Sequence, residues 1–151
     1  MAITSAICNS FKQEILVGTH DFTNGTGDTF KIALIKALSA QAGTYDASTT
    51  NYSDVTGNSD ELASGSGYNT GGNTLVSVTP TLSGSTAVCD FPNTSWSSAT
   101  FTTRGCIIYN TSDSNKAVMV LNFGADYSVS NGTFTIEFPA ADASNAIIRI
   151  S

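Results

Sequence analysis

The sequence predicts an all-β (mainly β) protein. A β-sandwich is the first topology and a small barrel the second, with about seven to eight strands, a short N-terminal helix and one long Gly/Ser/Thr/Asn-rich loop. Three observations predict it. Apolar residues alternate with polar ones at period two in residues 29–36 and 133–138. Clusters of Gly, Asn, Ser and Pro recur between the apolar runs, as turns between short strands require. Helical periodicity is confined to the first sixteen residues.

Taken in order, Ile7, Phe11 and Ile15 recur every fourth residue, with Ala6 and Leu16 beside them and Gly18 as a stop, so a helix is predicted over residues 5–17. Its apolar face suits a cover over an open sheet edge. The sharper alternative is an arm (residues 1–18) that docks on a neighbouring subunit through Phe11 and Ile15. Residues 18–28 read as a loop with turn chemistry at Asn24-Gly25. Residues 29–36 then read as a half-buried strand, with Phe30, Ile32 and Leu34 inward.

Residues 40–73 break the pattern and form one long surface loop. Such loops inside compact domains are usually functional or mobile. Tyr45, Tyr52 and Tyr68 are spaced along it, either pinning it down or presented for contact.

Beyond it, residues 74–79 and 86–91 are expected to pair as a hairpin around Pro80 and Ser83-Gly84. Residues 99–109 form a long strand, residues 110–115 a turn and residues 116–123 the returning strand. Within that strand Ala117 to Leu121 is uninterruptedly apolar, as a strand buried on both faces would be. Residues 127–130 and 133–138 read as a hairpin about Asn131-Gly132, a pair suited to a type I′ turn. Residues 145–150 close the chain as a last strand.

The 151 residues fit one domain. Charged residues are 12% of the chain, about half the roughly 25% usual in soluble domains, and Ser, Thr, Asn and Gly take their place. Hydroxyl and amide surfaces cost less to dehydrate than charged ones, so this composition is compatible with large permanent contacts. The net charge is −6, and the six Lys and Arg are scattered singly. No basic stripe exists to displace counterions from a phosphate backbone or to hold an anionic membrane, so neither partner is expected.

No apolar run reaches membrane-span length, and the start lacks the basic region and apolar core of a secretory signal, which predicts synthesis in a cytosol. Cys8, Cys89 and Cys106 are odd in number and lack metal-site spacing, so buried free thiols are expected. The Asn-x-Ser/Thr triplets at Asn24, Asn51, Asn93, Asn110 and Asn131 arise by chance in so Ser/Thr-rich a chain.

The supply of chemistry is thin. His20 is the single histidine, and the adjacent Asp21 cannot face it as an orienter; a hydrogen-bonded loop residue between helix and first strand is expected. Asp54, Asp60 and Glu61 do not follow a calcium-loop spacing and read as solvated carboxylates. Gly65, Gly67, Gly71 and Gly72 lack the Lys-Ser/Thr and helix of a phosphate cradle. Trp96, among small polar residues, reads as a cap on the core at a strand entrance, or as an exposed anchor. No catalytic, cofactor-binding or metal-ligating residue is assigned, and a non-enzymatic protein without cofactors is expected.

At Phe101-Thr-Thr-Arg-Gly-Cys-Ile-Ile-Tyr-Asn110 and Ala117-Val-Met-Val-Leu-Asn-Phe-Gly124 the chain resembles a family of small tailed-phage virion proteins. The segments Gly132-Thr-Phe-Thr-Ile-Glu-Phe-Pro-Ala140, Ala146-Ile-Ile-Arg-Ile150 and Asn9-Ser-Phe-Lys-Gln-Glu-Ile-Leu16 extend the similarity. The resemblance implies a virion component, foremost a head decoration (cement) protein on the capsid surface. Such proteins often form homotrimers that bridge and stabilise subunits of the major capsid protein. The motifs carry no catalytic residue and no contact residue. The alternative is a tail, head-fibre or receptor-binding module in which Tyr45, Tyr52, Tyr68 and Trp96 contact glycans.

Overall fold

A computed structural model describes all 151 residues. The protein is mainly β, and its strands form open sheets rather than a closed barrel. The principal sheet has five strands in the order β2 (Ala6–Ile7), β9 (Lys116–Ile136), β8 (Thr94–Asn110), β3 (Phe30–Lys36) and β5 (Asn73–Thr74), all antiparallel. A three-stranded antiparallel sheet, β10 (Ile148–Ile150), β7 (Thr86–Cys89) and β6 (Thr81–Ser83), adds Cys89 and Ile148 to the same apolar core as the large sheet, and Phe91, just past β7, joins them. A two-residue parallel pairing joins β1 (Ala2–Ile3) to β4 (Thr44–Tyr45).

The centre of the large sheet is the β8–β9 hairpin, turning at Thr111–Asn115 where Ser114 and Asn115 take positive φ. Ala117, Val118, Met119 and Val120 are all buried, so this part of β9 is covered on both faces, as its uninterrupted apolar run predicted. Strand β3 is covered on both faces too. Ala33 and Ile35 are as fully buried as Ile32 and Leu34, where a half-buried strand was expected.

Three expectations about helix and hairpin boundaries change. The helix α1 runs only from Asn9 to Leu16, because Ala6 and Ile7 pair with Val120 and Met119 on β9 and the Cys8 amide donates to the Val118 carbonyl at 3.0 Å. Sheet hydrogen bonds thus claim the first residues of the apolar periodicity. The hairpin around Gly84 uses Thr81–Ser83, not residues 74–79, since Thr74 already pairs with Lys31 and the short turn at Gly84-Ser85 can join only the residues flanking it.

The third change concerns Asn131-Gly132, which makes no hairpin; β9 continues through it. Only Asn131 of the pair has positive φ (46°), whereas a type I′ turn needs it at both central residues. Between the pairs Ala99↔Gly132 and Phe101↔Val129, β9 carries one extra residue. Between Trp96↔Phe134 and Ala99↔Gly132, β8 carries one extra, at the positive-φ Ser98. The two β-bulges cancel, so the register recovers and the ribbon extends to Thr94↔Ile136.

The segment over residues 40–73 is an interrupted edge strand rather than a free loop. It contains a 3₁₀ turn ending at Ala40, the short helix α2 (Ser53–Gly57) and β5. Glu61 bridges to Ile35, and the Leu62 amide donates to the Leu34 carbonyl at 3.1 Å. The chain then detours and returns at Asn73 opposite Ile32. A broken edge of this kind blocks further strand addition on that stretch of β3.

Candidate interaction surface

Two buried polar clusters hold the irregular segments in place, and both are built from residues that looked like loose ends in the sequence. The first is made by Asp60 and Glu61, which are buried, not solvated. Asp60 accepts hydrogen bonds from the amides of Ala42 and Gly43 (2.8 and 2.7 Å) and from the Tyr45 hydroxyl (2.5 Å). Burial alone would raise its pKa, but the Tyr45 hydroxyl and those two amides more than offset this and hold it below the ordinary value. Glu61 accepts from the hydroxyls of Tyr52 and Tyr68 and from the Gly71 amide at 2.6 Å. Tyr52 in turn stacks on Tyr109 with ring centroids 4.3 Å apart, and the Tyr109 hydroxyl donates to the Gly71 carbonyl at 2.8 Å. Desolvation pushes the Tyr45, Tyr52 and Tyr68 hydroxyls well above the ordinary tyrosine range and Tyr109 to about 12, so all four serve as neutral hydrogen-bonding groups.

The second cluster joins α1, the loop after it and the tip of the β8–β9 hairpin. His20 Nε2 lies 2.8 Å from Glu14 Oε2, and His20 Nδ1 lies 3.0 Å from Asn110 Nδ2. The same Asn110 amide donates to Asp28 Oδ2 at 2.7 Å, while its oxygen accepts from the Ser112 amide at 2.9 Å. Asp28 and Ser112 together fix the orientation of the Asn110 side chain, so Nδ1 of His20 must accept and Nε2–H must donate to Glu14. This is the hydrogen-bonding role expected of His20. Asp21 faces Thr23 rather than the imidazole. Both ring nitrogens are occupied by Glu14 and Asn110, which leaves neither free to activate a nucleophile.

The three cysteines are free and buried, as expected. Burial raises Cys8 and Cys89 to about 12 and Cys106 further still, so none carries appreciable thiolate at neutral pH.

The residues singled out as contact candidates fall in different places. Tyr45, Tyr68, Phe11 and Trp96 are buried in this chain's own core and offer no outward face. Phe11 packs against His20 and Phe22 (centroids 4.9 and 6.1 Å), so α1 covers its own sheet rather than reaching out as an arm. Trp96 packs between Tyr68 and Phe134, as a cap on the core would. Tyr52 is partly exposed but committed to Glu61 and Tyr109, so the tyrosines pin the segment. Ile15 is partly exposed as well, at the rim of a small apolar groove with Leu16, Ile148 and Ile150.

The larger concavity was not anticipated. A trough of about 680 Å³ opens between β2 and β9 on one side and residues 145–149 on the other. Leu121, Phe123, Phe134, Ile136 and Phe138 line it, with Tyr127, Glu137 and Arg149 at its polar margins. It runs beside an open sheet edge: β2 pairs only with Met119 and Val120, and residues 127–136 of β9 pair with β8 alone. That ten-residue stretch carries no charged side chain. The period-two pattern of Phe134, Ile136 and Phe138 marked the inward face, but nothing in the pattern told that the opposing layer stops short of it.

No protein-family model, curated protein or solved structure matches the chain.

Proposed function

We propose that this protein is a structural component of a tailed-phage virion that decorates the capsid and stabilises it by bridging subunits of the major capsid protein. The observation that carries the reading is the apolar trough beside an uncharged, unpaired strand edge on a chain poor in charge, a surface suited to lasting protein contact. The resemblance at residues 101–110 and 117–124 supports it from the sequence side; those residues form the paired centre of the β8–β9 hairpin and its turn into the free edge. A decorating protein needs no reaction chemistry. It adds to lattice stability because it binds assembled subunits better than free ones, and many symmetry-related copies multiply modest contacts.

The burial of Tyr45, Tyr68 and Trp96 weighs against the receptor-binding alternative, which needs those rings as a sugar platform. Quantitative mass spectrometry of purified particles tests the reading. The chain is expected at a copy number equal to that of the major capsid protein or a simple fraction of it. Recovery at a few copies per particle, or absence from the particle, would overturn it.

A further inference from the structure

The tripeptide Asn-Gly-Thr occurs twice, at residues 24–26 and 131–133. Two copies of one short sequence share their intrinsic reactivity, so a difference between them is imposed by the fold. In an Asn-Gly pair the glycine backbone nitrogen is a nucleophile toward the asparagine side-chain carbonyl, because no Cβ on the glycine shields it. The fold treats the two pairs in opposite ways.

Asn131 and Gly132 lie inside β9. Gly132 stands opposite Ala99 in the ladder with β8, and the Asn131 amide donates to Thr100 Oγ1 at 2.8 Å. Attack there requires the peptide between them to turn out of the paired ribbon, a local opening that costs free energy. Asn24 and Gly25 instead form the exposed tip of the loop between α1 and β3. The Asn24 side chain makes no hydrogen bond, and the Gly25 and Thr26 amides have no acceptor within the chain. Gly25 has φ +82° with open space around it. The two ends of the turn are anchored, since the Asn24 amide donates to Thr79 Oγ1 at 3.0 Å and the Gly27 amide to the Thr23 carbonyl at 2.9 Å. The carbon and nitrogen that must meet are thus held in one short turn, and neither is tied to anything else.

We propose that Asn24 is a site of spontaneous deamidation in the folded protein, and that the β8–β9 ribbon protects Asn131. The Gly25 nitrogen loses its proton to solvent base and bonds to Asn24 Cγ. The Cγ–Nδ2 bond breaks and ammonia leaves, which closes a five-membered succinimide. Water then adds to one of the two ring carbonyls: opening at Cγ gives aspartate, and opening at the main-chain carbonyl gives isoaspartate. One water is consumed, one ammonia is released, and nothing is oxidised or reduced. Either product adds a negative charge to a chain at −6, in a loop that already holds Asp21 and Asp28. Isoaspartate also routes the backbone through the side-chain carbon, which enlarges the turn closed by Gly27 and Thr23. The inference goes beyond the capsid reading and does not depend on it, since it concerns the purified chain alone.

Incubation of the purified protein at mildly alkaline pH, followed by peptide mapping with mass spectrometry, tests it. The peptide holding Asn24 should convert to the carboxyl form at least about tenfold faster than the peptide holding Asn131. In urea strong enough to unfold the chain, the two should react at similar rates, because the triplets are the same. Equal rates in the folded chain, or faster conversion at Asn131, would overturn the proposal. So would an Asn24 that stays intact while the unfolded chain reacts. Fragmentation should show isoaspartate beside aspartate at residue 24. Aspartate alone would mean direct hydrolysis by water, without attack from Gly25, and would count equally against it.

Discussion

Tyr68 donates to Glu61 Oε1 at 2.7 Å in the gap of an interrupted edge strand. The same hydroxyl accepts from the Leu34 amide at 3.0 Å, so a side chain takes the place of the strand carbonyl that the detour over residues 63–72 removes. The ladder along β3 is completed by a phenol, and the phenol is positioned by a carboxylate seven residues earlier in the chain.

Replacing Tyr68 with Phe would leave the Leu34 amide without an acceptor and remove one of three donors to Glu61, all within the core. The expected cost is about 1–3 kcal/mol, the usual penalty for stranding a buried polar group. Tyr127→Phe, which alters a half-exposed ring, should stay within about 0.5 kcal/mol. Urea denaturation of the two variants beside the wild type measures the difference. Equal stability of all three would show that the hydroxyl holds nothing.

Asn110 is fully buried and serves three partners at once, His20, Asp28 and the Ser112 amide. Asn110→Ala would strand His20 Nδ1 and the Ser112 amide and leave a small void, while Asp28 keeps the Asp21 amide as a donor at 3.0 Å. A loss of about 2–4 kcal/mol is expected. Hydrogen exchange adds a local signature: the Ser112 amide should lose its protection, while amides paired in the Thr94–Trp96 end of β8 keep theirs until global unfolding.

Asp60 and Asp90 should pull stability in opposite directions as pH changes. Asp60 has its pKa lowered from 3.8 in the folded protein, so the stability it contributes is present above that value and is lost as pH falls through the folded value. Asp90 is raised by burial, with one oxygen held by the Phe91 amide at 2.8 Å and the other without a partner. Its favourable contribution is complete below 3.8 and is lost as pH rises through the raised value, where a charge must be kept in the core. Asp90→Asn keeps the shape and removes that charge. Its melting temperature at pH 7 is expected to exceed that of the wild type by roughly 2–4 °C, about 1 kcal/mol for a chain of this size. The gain should shrink as the pH is lowered toward 3.8. A variant less stable than wild type at pH 7 would show that the ionised form is held by contacts other than those described.

How much of this was legible in the sequence depends on the range of the interaction that decides each feature. The β3 strand, the turn at residues 111–115 and the returning apolar run were readable, because alternation and turn residues are local signals. Asn131-Gly132 misled for the same reason. Its local preference for a turn was overridden by β8, which is long enough to pair with both halves of β9 and carries a compensating bulge at Ser98. The acid–tyrosine cluster was unreadable, since Glu61 gathers Tyr52, Tyr68 and Gly71 only once the segment has closed on β3. Asp60 and Glu61 looked solvated because a carboxylate in a Gly/Ser-rich stretch normally is; the tyrosines that bury them were noticed as separate features.

Gly72 sets the point where the detour rejoins the sheet, and its substitution is the sharpest test of that closure. Its φ is +70°, in the region that side chains rarely adopt, and a Cβ there would overlap the Ile32 carbonyl and press on the Ala33 backbone. Backbone atoms of a central strand cannot step aside. Gly84 has nearly the same φ, +63°, but a Cβ there meets open space. Gly72→Ala should therefore cost well over the roughly 1 kcal/mol of the left-handed conformation alone, and Gly84→Ala about that amount. If melting curves place the two variants together, the close approach of residue 72 to β3 is not what fastens the segment. If Gly72→Ala alone collapses, the return of the chain at Asn73 is the closure on which the edge of the sheet depends.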